Sequence, residues 1–159
     1  MSVAFRRESD EEHLEPKFEL PLPPGPNLVT RRGLAQIEAR AAALEAEVAA
    51  TPDEEARKVV QRQLRYWSTR RATAIVAPLP PSGEVAFGAR VDFLLDGKPR
   101  RVDIVGSDEA MPAEGRIPFT APLAAAMIGA EAGDVVEFNG REDAIEIVAA
   151  VPIPPEDAA

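Results

Sequence analysis

The chain has 159 residues, a formal net charge of −9 and an apolar fraction of 45%, of which aromatic residues supply little at 5%. That is room for one ordinary domain or two small ones, with a core made mostly of Ala, Val, Ile and Leu. Cysteine is absent and His13 is the single histidine, which excludes disulfide scaffolds, thiolate zinc sites, cysteine nucleophiles and histidine-based zinc sites or triads.

No apolar run approaches the ~18 residues needed to cross a bilayer, so no membrane is expected as a partner and the cytoplasm is the simplest location. The charge is divided unevenly. Residues 28–77 carry nine basic and six acidic groups, whereas residues 78–159 carry six basic and fifteen acidic ones. A basic segment beside a strongly acidic one suggests two surfaces with different partners.

Residues 1–27 read as an irregular, acidic, proline-rich leader. "PLPPGPN" supports neither a regular helix nor a central strand. Phe5, Leu14, Phe18 and Leu20 are scattered apolar anchors, and His13 reads as a surface residue.

The first helix is expected over 31–49, with Thr30 as its N-cap. Leu34, Ile37, Ala41, Leu44 and Val48 recur at 3, 4, 3 and 4, a one-face seam. In "AATPDEEARK" a second helix begins. Thr51 suits its N-cap, Pro52 its first position and Glu54 the capping-box position. Val60, Leu64, Trp67, Arg71 and Ala74 continue a matching seam. So short a turn folds the two helices back as an antiparallel hairpin over 28–77, each arm about 25–35 Å long. Asp53, Glu54 and Glu55 stand at its tip, where they favour the positive end of a helix. Arg57, Lys58, Arg62, Arg65, Arg70 and Arg71 on the second helix suit pairing with acids on the first arm, or contact with phosphate or an acidic protein.

"PLPPSG" (78–83) is a linker. Beyond it, strands are expected near 85–95 and 100–105 around Asp96-Gly97, near 116–119, and near 134–138 and 144–151 around Asn139-Gly140. A short helix, 123–130, can end at Gly129. Residues 84–151 therefore form a small antiparallel β domain with one helix packed on it, and 152–159 form a fraying tail. The class is α+β. No phosphate-cradling GxxxxGK or GxGxxG is present. Asp108-Glu109, after Gly106-Ser107, reads either as a solvated turn or as an acidic contact for a partner's basic surface. Asp134 reads as the start of a strand.

"VAFGARV" (85–91), "IVGSDEA" (104–110), "IPFTAPLAAAMIG" (117–129) and "GDVVEF" (133–138) resemble the C-terminal domain of the GreA/GreB transcript-cleavage factors in order and spacing. "NLVTRRGLAQIEARAAALEAEV" (27–48) is similar to the start of that family's N-terminal hairpin. The resemblance covers about 28–150. It implies a coiled-coil hairpin joined to an FKBP-like domain, with bacterial RNA polymerase as partner. The C-terminal domain docks at the rim of the polymerase's secondary channel and the coiled coil enters it. In cleavage factors, acidic tip residues help hold a magnesium ion of the polymerase, so the factor has no active site or cofactor of its own. Carried over to this chain, the rim-binding residues are Asp108, Glu109 and Pro122. Ala121, Ala125 and Ala130 stand where a Ser, an Arg and a Lys are usual.

The hairpin departs from the pattern. The family's tip motif is missing, and the two arms together are about two dozen residues shorter. Some 12 residues per arm correspond to roughly 18 Å of reach. The resemblance then implies a non-enzymatic, monomeric polymerase-binding factor that competes for the secondary channel without stimulating cleavage. Contact with RNA would be indirect, within the complex. Two alternatives stay open. In one, Asp53, Glu54 and Glu55 form a rebuilt acidic tip that acts through polymerase-held Mg2+. In the other, the FKBP-like fold serves as a peptidyl-prolyl isomerase or chaperone.

Overall fold

The computed structural model describes residues 19–155. The readings for Phe5, His13, Leu14, Phe18 and the last four residues fall outside that range. Residues 19–27 contain neither helix nor strand, as their prolines imply.

Leu28–Val29 (β1) pairs in parallel with Ile75–Val76 (β2), closing the base of the helical hairpin. These strands are too short to carry a detectable period, so no local signal marks them. Between them run two helices of 20 residues each, Arg31–Ala50 (α1) and Glu54–Thr73 (α2). At 1.5 Å per residue each arm is about 30 Å long. Thr30 caps α1 as expected, its hydroxyl accepting the Gly33 N–H at 2.9 Å. Ile37, Ala41 and Leu44 from α1 and Val60 from α2 are buried. Leu34, Val48, Leu64 and Trp67 are half-buried. At the base the seam differs from expectation. Arg70 turns inward, 5% exposed, while Arg71 faces solvent. A shielded acidic partner in the turn after the sheet's second strand, described below, draws Arg70 in.

The turn brings a second correction. Thr51 does not open α2; it closes α1. Its N–H donates to the Val48 carbonyl at 3.3 Å and its hydroxyl to the Glu47 carbonyl at 2.6 Å. Asp53 is the N-cap of α2, its carboxylate accepting the Ala56 N–H at 2.8 Å. The ring of Pro52 keeps the residue before it out of the helical region. Thr51 is accordingly extended, Pro52 belongs to the turn, and Glu54 is the first helical residue.

The second half is a five-stranded sheet in the order β5-β4-β3-β7-β6. Its strands are Ala89–Leu95 (β3), Lys98–Val105 (β4), Arg116–Pro118 (β5), Val135–Phe138 (β6) and Arg141–Pro152 (β7), with one short helix, Pro122–Met127 (α3). The two hairpin signals hold. Asp96 and Gly97 have φ of 51° and 82°, and Asn139 and Gly140 have φ of 53° and 81°, the left-handed pairs that a two-residue turn requires. The sheet is mixed where an antiparallel one was expected, because β4 and β5 run parallel. The ten residues between them, with a 3-10 turn at Pro112–Glu114, carry β5 back in the same direction.

The core lies between the sheet and α3. Phe93, Ile104, Met127, Ile145 and Ile147 are its largest members, with Val and Ala filling the rest. Gly129, at φ 96°, follows α3. The expected tail begins late: Pro152 belongs to β7, and Ile153 is buried with its N–H on the Gly88 carbonyl at 3.0 Å.

Candidate functional site

Residues 106–109, which leave the end of β4, form the joint between sheet and hairpin. Three contacts make it. First, the backbone of Gly106 lies against β1. A Cβ placed on Gly106 would fall 2.4 Å from the Leu28 carbonyl oxygen, so only glycine permits this approach. Second, the Asp108 carboxylate receives two donors from successive turns of α2. The Tyr66 hydroxyl donates to Oδ1 at 2.5 Å and the Arg70 Nε to Oδ2 at 2.6 Å. The side chains of Arg70 and Asp108 are only 6% and 7% exposed, so the pair is shielded from water. Third, the Thr30 hydroxyl donates to Glu109 Oε1 at 2.6 Å while it accepts the Gly33 N–H. Gly33 leaves room for that carboxylate: a Cβ there would lie 2.8 Å from Glu109 Oε1.

The electrostatics follow from burial. The Tyr66 hydroxyl is pushed up to about 12, first by burial and then by its bond to the Asp108 carboxylate. It is therefore a donor at any physiological pH. Burial also raises Glu109, against the opposing pull of the Thr30 hydroxyl and the Arg32 and Arg116 charges. Asn27 secures the other side of the joint, its amide donating to the Arg70 carbonyl at 2.8 Å and to the Thr73 hydroxyl at 3.1 Å.

The structure thus turns Asp108 and Glu109, read as a solvated turn or as a contact for a partner, into the molecule. Pro122 is exposed at the first position of α3. The strand before that helix runs beside the end of β4, with the Phe119 N–H on the Val105 carbonyl at 2.9 Å, so the Pro122 surface and the joint lie at the same end of the sheet. Ala121, at the N-cap of α3, makes no side-chain capping bond. Asp53, Glu54 and Glu55 are exposed at the far end of the hairpin. Asp53 is engaged as a cap and Lys58 pairs with Glu55 at 3.5 Å. Among the described residues, no group of three or more His, Cys, Asp or Glu side chains is placed to hold a metal ion. No described helix is long and apolar enough to cross a membrane.

Tyr66, Arg70 and the second role of Thr30 escaped the sequence reading. The i, i+4 spacing of Tyr66 and Arg70 put them on one helical face. Nothing local says that a carboxylate 38 residues beyond Arg70 meets them.

Residues 80–150 match the family model described as "Transcription elongation factor, GreA/GreB, C-term". The chain is similar to the transcription elongation factor GreA of Thioalkalivibrio sulfidiphilus, 45% identical over 78 residues that cover 46% of this chain and 49% of that protein. It is also similar to the transcription elongation factor GreB of Neisseria meningitidis serogroup B, 38% identical over 96 residues that cover 56% and 58%. In these matches the chain spans about half the length of its relatives. Among solved structures, the prokaryotic transcription elongation factor GreA/GreB from Nitrosomonas europaea aligns at 18% identity, covering 80% of this chain and 99% of that one. Its TM-score of 0.38 is too low to bear on how hairpin and sheet are arranged. Over residues 80–150 this chain is similar to the C-terminal part of the GreA/GreB transcription elongation factors.

Proposed function

We propose that the chain is a non-enzymatic transcription factor that binds bacterial RNA polymerase at the secondary channel without stimulating transcript cleavage. The reading takes residues 28–77 as a coiled-coil module and residues 84–151 as an FKBP-like docking domain, joined by the linker 78–83. The factor works as a monomer in the cytoplasm. The observation that carries the proposal is the hairpin's length. Arms of 20 residues reach about 30 Å, short of what the resemblance implies for a cleavage factor. Metal ligands must be placed to within tenths of an ångström, so carboxylates held back by a turn or more of helix cannot share a catalytic ion.

The surface around Pro122 is the direct rim contact in this reading. Asp108 and Glu109 serve it from behind, by fixing the angle at which the hairpin leaves the sheet. Two measurements test the proposal. Competition with a full-length cleavage factor for core polymerase is expected to show displacement, weakened by Pro122→Glu. Added to a backtracked elongation complex, the protein is expected to release no short 3′ RNA. Metal-dependent release that disappears in Asp53→Ala/Glu54→Ala would instead establish the rebuilt acidic tip, whose three carboxylates are exposed as that alternative requires.

A further inference from the structure

A second surface lies at the base of the hairpin. The linker, the start of β3 and the end of β7 enclose an open cleft of about 680 Å³. Buried Ile153 and half-buried Phe87 are among its lining residues. Val76 and Leu79 line it as well, 44% and 78% exposed, with nothing among the described residues covering them. Four of its twelve lining residues are prolines, so its walls are stiff before anything binds.

Two features narrow the class of occupant. The first is charge. Arg31 alone among the twelve lining residues is charged, in a chain of net charge −9. It is exposed and opens α1, whose first turn holds no acid. A cation at the positive end of a helix is locally unfavourable, and a broken local rule points to a task elsewhere. The second is a backbone edge. β2 has a single neighbouring strand. The N–H groups of Ile75 and Ala77 bond to the carbonyls of Asn27 and Val29. In a parallel ladder that leaves the N–H and carbonyl of Val76, between them, pointing away from β1. An extended backbone can pair there, as in strand addition.

We infer that this cleft docks an extended segment of a protein partner in which a carboxylate lies beside large apolar side chains. The carboxylate meets Arg31, the apolar groups fill the space between Leu79 and Phe87, and the backbone pairs with Val76. A nucleic acid would find one cation and apolar walls, too little for phosphate binding. Pro122 is not among the lining residues, and the inference does not depend on polymerase being the partner at that surface.

The test uses the full chain and fluorescein-labelled peptides. One alternates aspartate with leucine and phenylalanine; a second carries lysine in place of each aspartate. By anisotropy the acidic peptide is expected to bind at least about tenfold more tightly than the basic one. Arg31→Glu is expected to abolish that preference and Leu79→Ser to weaken binding of the acidic peptide. Both side chains are exposed, and an unchanged circular dichroism spectrum shows that each variant is folded. No binding, equal binding of the two peptides, or unaltered binding by both variants would overturn the inference. So would a concentration-dependent dimer in sedimentation that either variant dissolves, because the occupant would then be a second copy of this chain.

Discussion

Replacing Asp108 by alanine removes the one acceptor shared by two donors of α2, the Tyr66 hydroxyl and the Arg70 guanidinium. Arg70 would stay buried at the joint without its counter-charge. Breaking a buried pair from one side costs about 3–5 kcal/mol, because the desolvated charge is left uncompensated. Against a typical total of about 5–15 kcal/mol, that is a large fraction. Asp108→Asn keeps the volume and one acceptor, and is expected to cost less than alanine but more than about 1 kcal/mol. In the Arg70→Met/Asp108→Ala double variant no unpaired charge remains. Its cost is expected to fall below the sum of the two single costs by about 0.5–3 kcal/mol.

Urea denaturation followed by Trp67 fluorescence reads this directly, since Trp67 meets Tyr66 edge to face with ring centroids 5.1 Å apart. A second readout separates positioning from general stability. The chain contains no cysteine, so Glu54→Cys at the hairpin tip and Lys98→Cys on the sheet take spin labels without background. Both positions are exposed. A narrow distance distribution is expected with Asp108 intact and a broad one in Asp108→Ala, measured under conditions where both proteins are folded. If Asp108→Ala and Asp108→Asn each cost less than about 1 kcal/mol and the distribution is unchanged, the joint does not hold the hairpin and the role assigned to this pair is wrong.

Three further outcomes are expected. Gly106→Ala sets a methyl against the Leu28 backbone, and Gly33→Ala sets one against the movable end of Glu109; the first is expected to cost about 1–3 kcal/mol and the second less, by thermal melts in parallel. Tyr66 is raised on folding, so the folded state holds its proton more tightly; that contribution is complete below pH 10 and is lost as pH rises from 10 toward about 12. Tyr66→Phe is expected to lose this alkaline limb in a stability–pH profile and to be less stable at neutral pH by about 1.5–3 kcal/mol. Asp53→Ala removes the cap of α2 and is expected to cost about 1 kcal/mol in chemical denaturation while leaving competition for core polymerase unchanged.

Much of this protein is written in short stretches of chain. The seam through Ile37, Ala41 and Leu44, the Thr30 cap, and the turns at Asp96-Gly97 and Asn139-Gly140 all follow from periods and φ preferences that neighbouring residues enforce. The helix boundary at the hairpin tip was also locally encoded, but two rules competed there. Thr51 has the side chain of a cap, and the constraint imposed by Pro52 overrides it, passing the cap to Asp53.

What only the tertiary structure decided depends on contacts between distant parts of the chain. Arg70 rather than Arg71 is inward because Asp108 waits in the turn after β4. Asp108 and Glu109 look like a surface acidic pair until Gly106 brings their loop against β1, where desolvation and bonding make them parts of a joint. The parallel run of β4 and β5, the two-residue strands at the hairpin base and the cleft beside Arg31 likewise carry no local signature. Helix and turn preferences are settled by neighbours a few residues apart, so the sequence alone determines them. Burial of a charge and the closing of a cleft are settled by whatever the fold brings alongside, and that is known only once the chain is folded.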